Sequence, residues 1–454
     1  MVILLAAIGV GEALVLALPV ALLTLLCVAF AAFTLTIVPA SRRPALPPLT
    51  EAEIRQLGPL PFATVLVAGR DEAAVIPHLL ADLAAQNHRA PDGAPLFEII
   101  IVDDRSTDGT GTAAAEAARA AGIGDVTRVI RRGPEAGVFA GRRVPSLPDG
   151  KGAALSTTGP ADYRGDFVAV LDADARVGPD YLRRAATYFA RGASAMTARK
   201  RTLRHEPRNW FLRQLEAAQA DEQDADGEIQ RGRWSSGGCS EFRGNGMLVR
   251  RDLLAAAGGW HEHALCEDLD LSTRLAILGD RVGWALDVVA WEEPVLDLGA
   301  LRRQRLRWGE GIIRRELELT HRLLTSPRLS PRARLDYLAY SAQTVLPVSL
   351  AAALIAAGVA GAWPSLVLLF ATYLGPGSVL AVDSLRWEGL EGRRTLPERV
   401  LRSWRLLVFS GLWIPVFCVC WPLVALGSGP IRYAKTRHSG APDGFRPEAG
   451  GPAG

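Results

Sequence analysis

The residues best suited to chemistry are carboxylates, and they come in pairs. Asp103 and Asp104 follow directly on the apolar run 97–102, and Asp172 and Asp174 flank Ala173 after the run 167–171. A single Asp at such a point is ordinarily a turn or helix-cap residue. Two clusters at two strand ends favour a ligand instead. Carboxylates spaced as Asp172 and Asp174 can converge in a turn on one hard cation, Mg²⁺ or Mn²⁺, which prefers oxygen ligands. Such an ion neutralises a diphosphate and stabilises it as a leaving group. A third pair, Glu267 and Asp268, opens a helical pattern through Leu269, Leu271 and Leu275. It is placed either to cap that helix or to take the proton of a hydroxyl nucleophile. Further on, 301–308 gathers arginines around Gln304, Arg307 and Trp308. Guanidinium forks fit diphosphate oxygens, and an indole offers a flat face to a sugar ring. The same segment also reads as a basic helix lying against lipid headgroups.

These groups need a scaffold that gathers strand ends. Short apolar runs at 63–68, 97–102, 126–130 and 167–171 alternate with helical patterns such as the alanine-rich 113–121. That alternation predicts an α/β fold with a mainly parallel sheet covered on both faces. In such sheets the ligand sits at the carboxyl ends of the strands, where the acids stand. No GxGxxG opens the first helix and no GxxxxGK[ST] occurs, so neither dinucleotide nor P-loop chemistry is supported.

Composition sets the outer bounds. The 454 residues are 49% hydrophobic and 22% charged, which excludes a disordered chain. With 51 basic against 48 acidic residues, a nucleic-acid binder driven by bulk charge is excluded too. Only Lys151, Lys200 and Lys435 are lysines. The five cysteines form no CxxC, so a disulfide framework or structural zinc is not expected.

The apolar residues are segregated. Residues 1–39 hold no Lys or Arg and one acid, Glu12, and apolar stretches return at 341–362, 364–382 and 406–427. Each is of the order of the roughly 20 residues a membrane helix needs. The division predicted is a membrane segment 1–40, a Pro-rich linker 41–60, a catalytic domain 61–335, a C-terminal membrane region 336–430 and a disordered tail 431–454. Arg42 and Arg43 after the first span predict an external N-terminus and a cytoplasmic domain. The arginine-rich piece 386–405 reads equally as a solvated loop and as an interfacial helix.

Taken in order, Gly69-Arg70-Asp71-Glu72, Asp103-Asp104-x-Ser106, Gly150-Lys151-Gly152, Asp172-x-Asp174, Glu267-Asp268 and Gln304-x-x-Arg307-Trp308 resemble the family 2 inverting glycosyltransferases. The likeness is to the membrane branch of cellulose, chitin, hyaluronan and poly-N-acetylglucosamine synthases. The resemblance implies a GT-A fold flanked by transmembrane helices, a UDP-sugar donor and Mg²⁺ or Mn²⁺. By position, Arg70, Glu72, Asp103 and Asp104 match the nucleoside pocket. Lys151 matches a diphosphate contact, and Asp172 with Asp174 the sugar-nucleotide and metal motif. Asp268, beside Glu267, matches the catalytic base. Gln304, Arg307 and Trp308 match the motif holding diphosphate and acceptor, with Gly246 on the acceptor side. Asp71 stands where Asn is usual, and Cys266 where many polymer synthases carry Thr. The acceptor implied is a growing polysaccharide, or in the second reading a lipid or lipid-linked glycan. The partners are then the donor, the acceptor, the cell membrane and an export partner for the product. An inactive assembly protein retaining the fold is the reading from another class.

Overall fold

The computed structural model describes residues 10–42, 46–133, 138, 139, 142, 143, 150–205, 207, 209–359, 361, 363–388 and 392–427. The predicted tail at 431–454, the first nine residues and Arg43 lie outside the described residues. Four strands run where the apolar runs place them: β1 (Ala63–Gly69), β2 (Phe97–Asp104), β3 (Thr127–Arg132) and β4 (Phe167–Asp172). They continue with β5 (Arg176–Val177), β6 (Ala195–Thr202), β7 (Met247–Arg250) and β8 (Gly283–Glu292) into one sheet of order β3-β2-β1-β4-β7-β6-β8-β5.

The β3-β2-β1-β4 half is parallel throughout. Its residues alternate between two buried faces, Val65 and Val67 packing on one side and Leu66 on the other. Continuous apolar strands are what burial on both faces demands. The register sets Gly69 beside Asp103 and Ala68 beside Asp172. Three strand ends therefore deliver their acids to one edge. β7 then runs antiparallel to both β4 and β6.

The helices that matter are α1 (Val10–Ala40), α2 (Ile76–Ala84), α3 (Thr110–Ala120), α4 (Lys151–Leu155), α5 (Tyr181–Ala190), α6 (Trp210–Ser235), α7 (Glu267–Ile277), α8 (Leu298–Thr325), α9 (Pro331–Val359), α10 (Trp363–Ser384), α11 (Leu396–Ser410) and α12 (Trp413–Ala425). Among the described residues, Pro331–Ala356 and Leu396–Ala425 are long and apolar enough to cross a membrane. Arg42, read in the sequence as a topology signal, pairs with Asp383 of α10 at 3.1 Å.

The piece at 386–405 is no solvated loop. Its second half forms the start of α11, closed by a reciprocal Thr395–Glu398 capping box. Five of its arginines, Arg386, Arg394, Arg399, Arg402 and Arg405, pair with acids of the protein. Arg402 and Arg405 bind Asp221 of α6 at 2.6 and 2.5 Å, and Arg394, just before the helix, binds Asp224 at 2.6 Å. The opposite face is apolar and exposed, with Leu401 at 74% and Val408 at 75%. This helix thus turns its charges inward and its leucines outward.

Candidate active site

All the sequence-predicted site residues except Asp103 and Gly246 line one cavity of about 580 Å³. It opens at the carboxyl ends of β1, β2 and β4 and extends under α6, α8 and α9.

The loop after β1 and the loop after β2 are laced together. Ser106 Oγ accepts from the Asp71 N–H at 2.9 Å, and Thr110 Oγ1 from the Glu72 N–H at 2.7 Å. Asp71 in turn accepts from the Thr107 N–H at 2.7 Å. Asp71 and Arg105 are the described non-glycine residues with left-handed backbone, φ 54° and 58°. Asn and Asp tolerate that region best among residues with a Cβ. The departure from Asn to Asp at 71 thus keeps both the backbone and the acceptor. Asp104 is buried between Arg105 at 2.9 Å and Arg132 at 2.7 Å. Asp103 turns away from the cavity. Its carboxylate accepts from the Gly111 N–H at 3.1 Å and caps the start of α3.

Lys151 sits at the first turn of α4 and joins two motifs, binding Asp172 directly and standing 3.4 Å from Glu267. Burial works against its charge, but the carboxylates of Asp172 and Glu267 outweigh that and raise its pKa above the ordinary lysine value. Gly152 next to it has no room for a side chain: a Cβ there would stand 2.7 Å from the His261 carbonyl oxygen. The loop leading into α7 is thereby pressed onto the Lys151 turn.

At the start of α7 three acids have separate surroundings. Glu267 faces Lys151. Asp270 is held by His261 at 3.2 Å and Arg274 at 2.6 Å. Burial pushes the Asp270 carboxyl up, but those two partners outweigh it and keep it below the usual carboxylate range. Asp268 lines the cavity, and its Oδ1 accepts from the Leu269 N–H at 2.9 Å. Burial first, and the neighbouring Glu267 second, push its pKa up to about 6.

Cys266 is a packing residue. Its thiol is buried against α8, and a Cβ on Gly311 would stand 2.4 Å from Sγ. This contact sets the distance from α7 to the helix bearing Gln304, Arg307 and Trp308. Gly311→Ala is expected to lower stability by about 1–3 kcal/mol through overpacking. Thermal melting checks it; an unchanged Tm would mean that the two helices part freely.

Two groups escaped the sequence reading. Asn245 is 1% exposed, lines the cavity, and its Oδ1 accepts from the Asp172 N–H at 3.2 Å. Its neighbour Gly246 lies beneath, with φ 81° and so little space that a Cβ would meet Ala198 at 2.6 Å. The signal was the Gly-Asn-Gly triplet itself, read only for its last glycine. The second group is Arg305, whose guanidinium stands 4.6 Å from the Trp308 ring centre, 5.4 Å from Phe409 and 5.3 Å from Trp413. It also pairs with Glu222 at 2.5 Å.

The two carboxylates Asp172 and Asp174 flank buried Ala173 and face the same cavity as Lys151. The described residues gather no group of three or more His, Cys, Asp or Glu that could hold a metal by themselves. A pair of carboxylates completed by substrate phosphates is the set that Mg²⁺ favours, so these residues fit such an ion when it arrives with a diphosphate.

A half-parallel sheet with acids at its strand ends, under a helix carrying Gln304, Arg307 and Trp308, defines a GT-A-like sugar-transferring enzyme. The mannosyltransferase PcManGT from Pyrobaculum calidifontis, solved in complex with GDP-Man and Mn²⁺, shares this fold with a TM-score of 0.54 and 23% identity, over 88% of this chain and 99% of that one. Residues 167–427 match the family described as Glycosyl transferase family group 2, and residues 64–144 match Glycosyl transferase family 2. The chain belongs to this family and is a glycosyltransferase. The beta-monoglucosyldiacylglycerol synthase of Synechocystis sp. is 29% identical over 408 residues, 87% of this chain and 78% of that protein. That of Trichormus variabilis is 30% identical over 392 residues, 85% of this chain and 78% of the relative.

Proposed function

We propose that the protein is a membrane-bound inverting glycosyltransferase that moves one sugar from a nucleotide sugar to the hydroxyl of a lipid acceptor. The observation carrying this reading is the two-ended cavity. One end holds Lys151, Asp172, Asp174 and Asp268; the other is walled by Phe30 and Phe33 of α1, Leu346 of α9, Leu380 of α10 and Leu406 of α11. A polar reaction centre continuous with an apolar arm suits a headgroup followed by acyl chains. A polysaccharide, hydroxylated along its whole length, has no use for that arm. The names of the two cyanobacterial relatives agree with a lipid acceptor.

In this reading Arg70, Glu72 and Asp104 receive the nucleoside. Lys151 and Arg307 bind the diphosphate, and Gln304 orients it. Asp172 and Asp174 hold Mg²⁺ or Mn²⁺, which when bound supplies positive charge to the leaving diphosphate. Trp308 faces the acceptor. Asp268 takes the proton of the attacking hydroxyl as the anomeric bond to the diphosphate breaks on the opposite side, so the configuration inverts. The candidate spans and the outward leucines of α11 sit in or on the bilayer, with the catalytic domain on the cytoplasmic side where nucleotide sugars are made. A UDP-sugar is the expected donor.

The base form of Asp268 fills as pH rises through about 6. The transfer rate is expected to climb about tenfold per pH unit below that point and to level above it. A pH–rate profile flat between 5 and 7 contradicts the assignment.

The apolar arm has its own test at Gly377, where a Cβ would meet Leu407 at 3.7 Å and Phe30 at 3.9 Å. Gly377→Phe fills this junction of α1, α10 and α11. It is expected to raise the KM for dipalmitoylglycerol at least about tenfold more than that for dioctanoylglycerol, since a blocked arm costs about 0.8 kcal/mol per displaced CH₂. Equal effects on both acceptors would mean that the acyl chains lie elsewhere.

A further inference from the structure

Helix α8 carries Gln304, Arg307 and Trp308 at i, i+3 and i+4, so the three share one face, and all of them line the cavity. Where that face points depends on what holds the rest of the helix. On its other sides α8 rests on its neighbours through small residues. A Cβ on Gly309 would stand 2.7 Å from Val416 of α12, and Gly311 lies against Cys266, just before α7. Contacts of this kind set the distance between helices and leave rotation about the axis weakly fixed. The side chain that can fix rotation is Arg305, 5% exposed and two residues before Arg307. Its guanidinium stands 4.6 Å from the Trp308 ring centre and 5.3 Å from that of Trp413. Its charge partner is Glu222 of α6, which gives one oxygen to Arg305 at 2.5 Å and accepts from the Trp413 indole N–H with the other at 3.2 Å. Helices α6, α8 and α12 thus meet at a single carboxylate.

We propose that Glu222 is a positioning residue for the donor: through Arg305 it fixes the rotation of α8 at which Arg307 meets the outer phosphate of the nucleotide. The inference rests on the reading of Arg307 as a diphosphate contact and adds the group that aims it. A guanidinium as buried as that of Arg305 is costly to leave without its partner, because an uncompensated charge then stays inside the protein. With Glu222 uncharged, Arg305 relieves that cost by turning α8 toward water, and Arg307 turns with it. Glu222 itself touches neither phosphate nor sugar in this account. Its second bond, to Trp413, sets the same joint against α12.

The test titrates the full chain, in detergent micelles with Mn²⁺, with UDP and UMP and with GDP and GMP, and follows the pair that wild type binds the tighter. Glu222→Gln keeps the side-chain length and an oxygen for Trp413 and removes the charge. It is expected to weaken the diphosphate at least about tenfold, the worth of one charge-assisted bond to a phosphate, and to leave the monophosphate unchanged. Arg307→Ala should show the same pattern. Adding Glu222→Gln to Arg307→Ala should cost nothing further, since both act on one contact. Arg305→Lys keeps the charge but not the planar stack, and it carries the same comparison if Glu222→Gln fails to fold. Equal losses for diphosphate and monophosphate, or losses that add in the double variant, make Glu222 a structural residue only and overturn the inference. An unchanged diphosphate affinity overturns it as well. Arg307→Ala binding both nucleotides as wild type does, or wild type binding neither pair, overturns the donor reading, and this inference with it.

Discussion

Asp268→Asn is expected to bind the nucleotide sugar as wild type does and to transfer it about 10²–10⁴ times more slowly, the usual contribution of a general base. The substitution keeps size and shape and removes only the negative charge. Its two acidic neighbours have other duties. Glu267 is turned to Lys151 at 3.4 Å, and Asp270 is engaged by His261 and Arg274. Asp268 has a pKa raised to about 6, while that of Asp270 is lowered; at about 6 a carboxylate both ionises at neutral pH and retains basicity. Donor binding is expected to survive because the proposed diphosphate contacts, Lys151 and Arg307, are untouched. Calorimetric donor affinity and turnover, measured on one preparation, decide the matter. An Asp268→Asn enzyme at near-normal rate beside an inactive Asp270→Asn enzyme would move the base by two residues.

Asp174→Asn is expected to cost about 10³-fold in turnover, because an anionic oxygen ligand is lost where several kcal/mol of leaving-group stabilisation arise. The loss should shrink as Mn²⁺ is raised, since weaker binding is partly recovered by mass action. Melting temperature should hardly change, because Asp174 is part of the open cavity wall rather than of the sheet core. Wild-type rates in this variant, or full wild-type activity in excess chelator, would contradict the assignment.

The parallel half of the sheet was legible because its strands are buried on both faces, so residues 63–68 and 167–171 are almost wholly apolar. The other half, where β7 and β5 run antiparallel to their neighbours and β6 pairs parallel with β8, was not. β6 reads Ala195-Met196-Thr197-Ala198-Arg199-Lys200-Arg201-Thr202, and nothing local says that its charges meet Asp224 and Glu292 on other elements. Periodicity likewise showed that 386–405 is amphipathic but not which way it faces. Arginines serve headgroups and buried acids equally well, and Asp221, the acid that decides, lies 181 residues from Arg402. Most of the candidate site residues came from the resemblance of ordered motifs, and one cavity gathers them. Asp103 has the same chemistry as Asp104, yet it caps α3, and only the turn geometry separates the two. Asn245 was missed because its value comes from a backbone N–H 73 residues away.

The central claim is that one sugar passes from a nucleotide to a lipid hydroxyl, and the mass of the product tests it most directly. Full-length protein in micelles, given Mn²⁺, a UDP-hexose panel and dioleoylglycerol, is expected to yield an organic-soluble product heavier than the acceptor by a single hexose. The bond should be of inverted anomeric configuration. A water-soluble ladder of sugar oligomers, with the lipid left unmodified, would contradict the account.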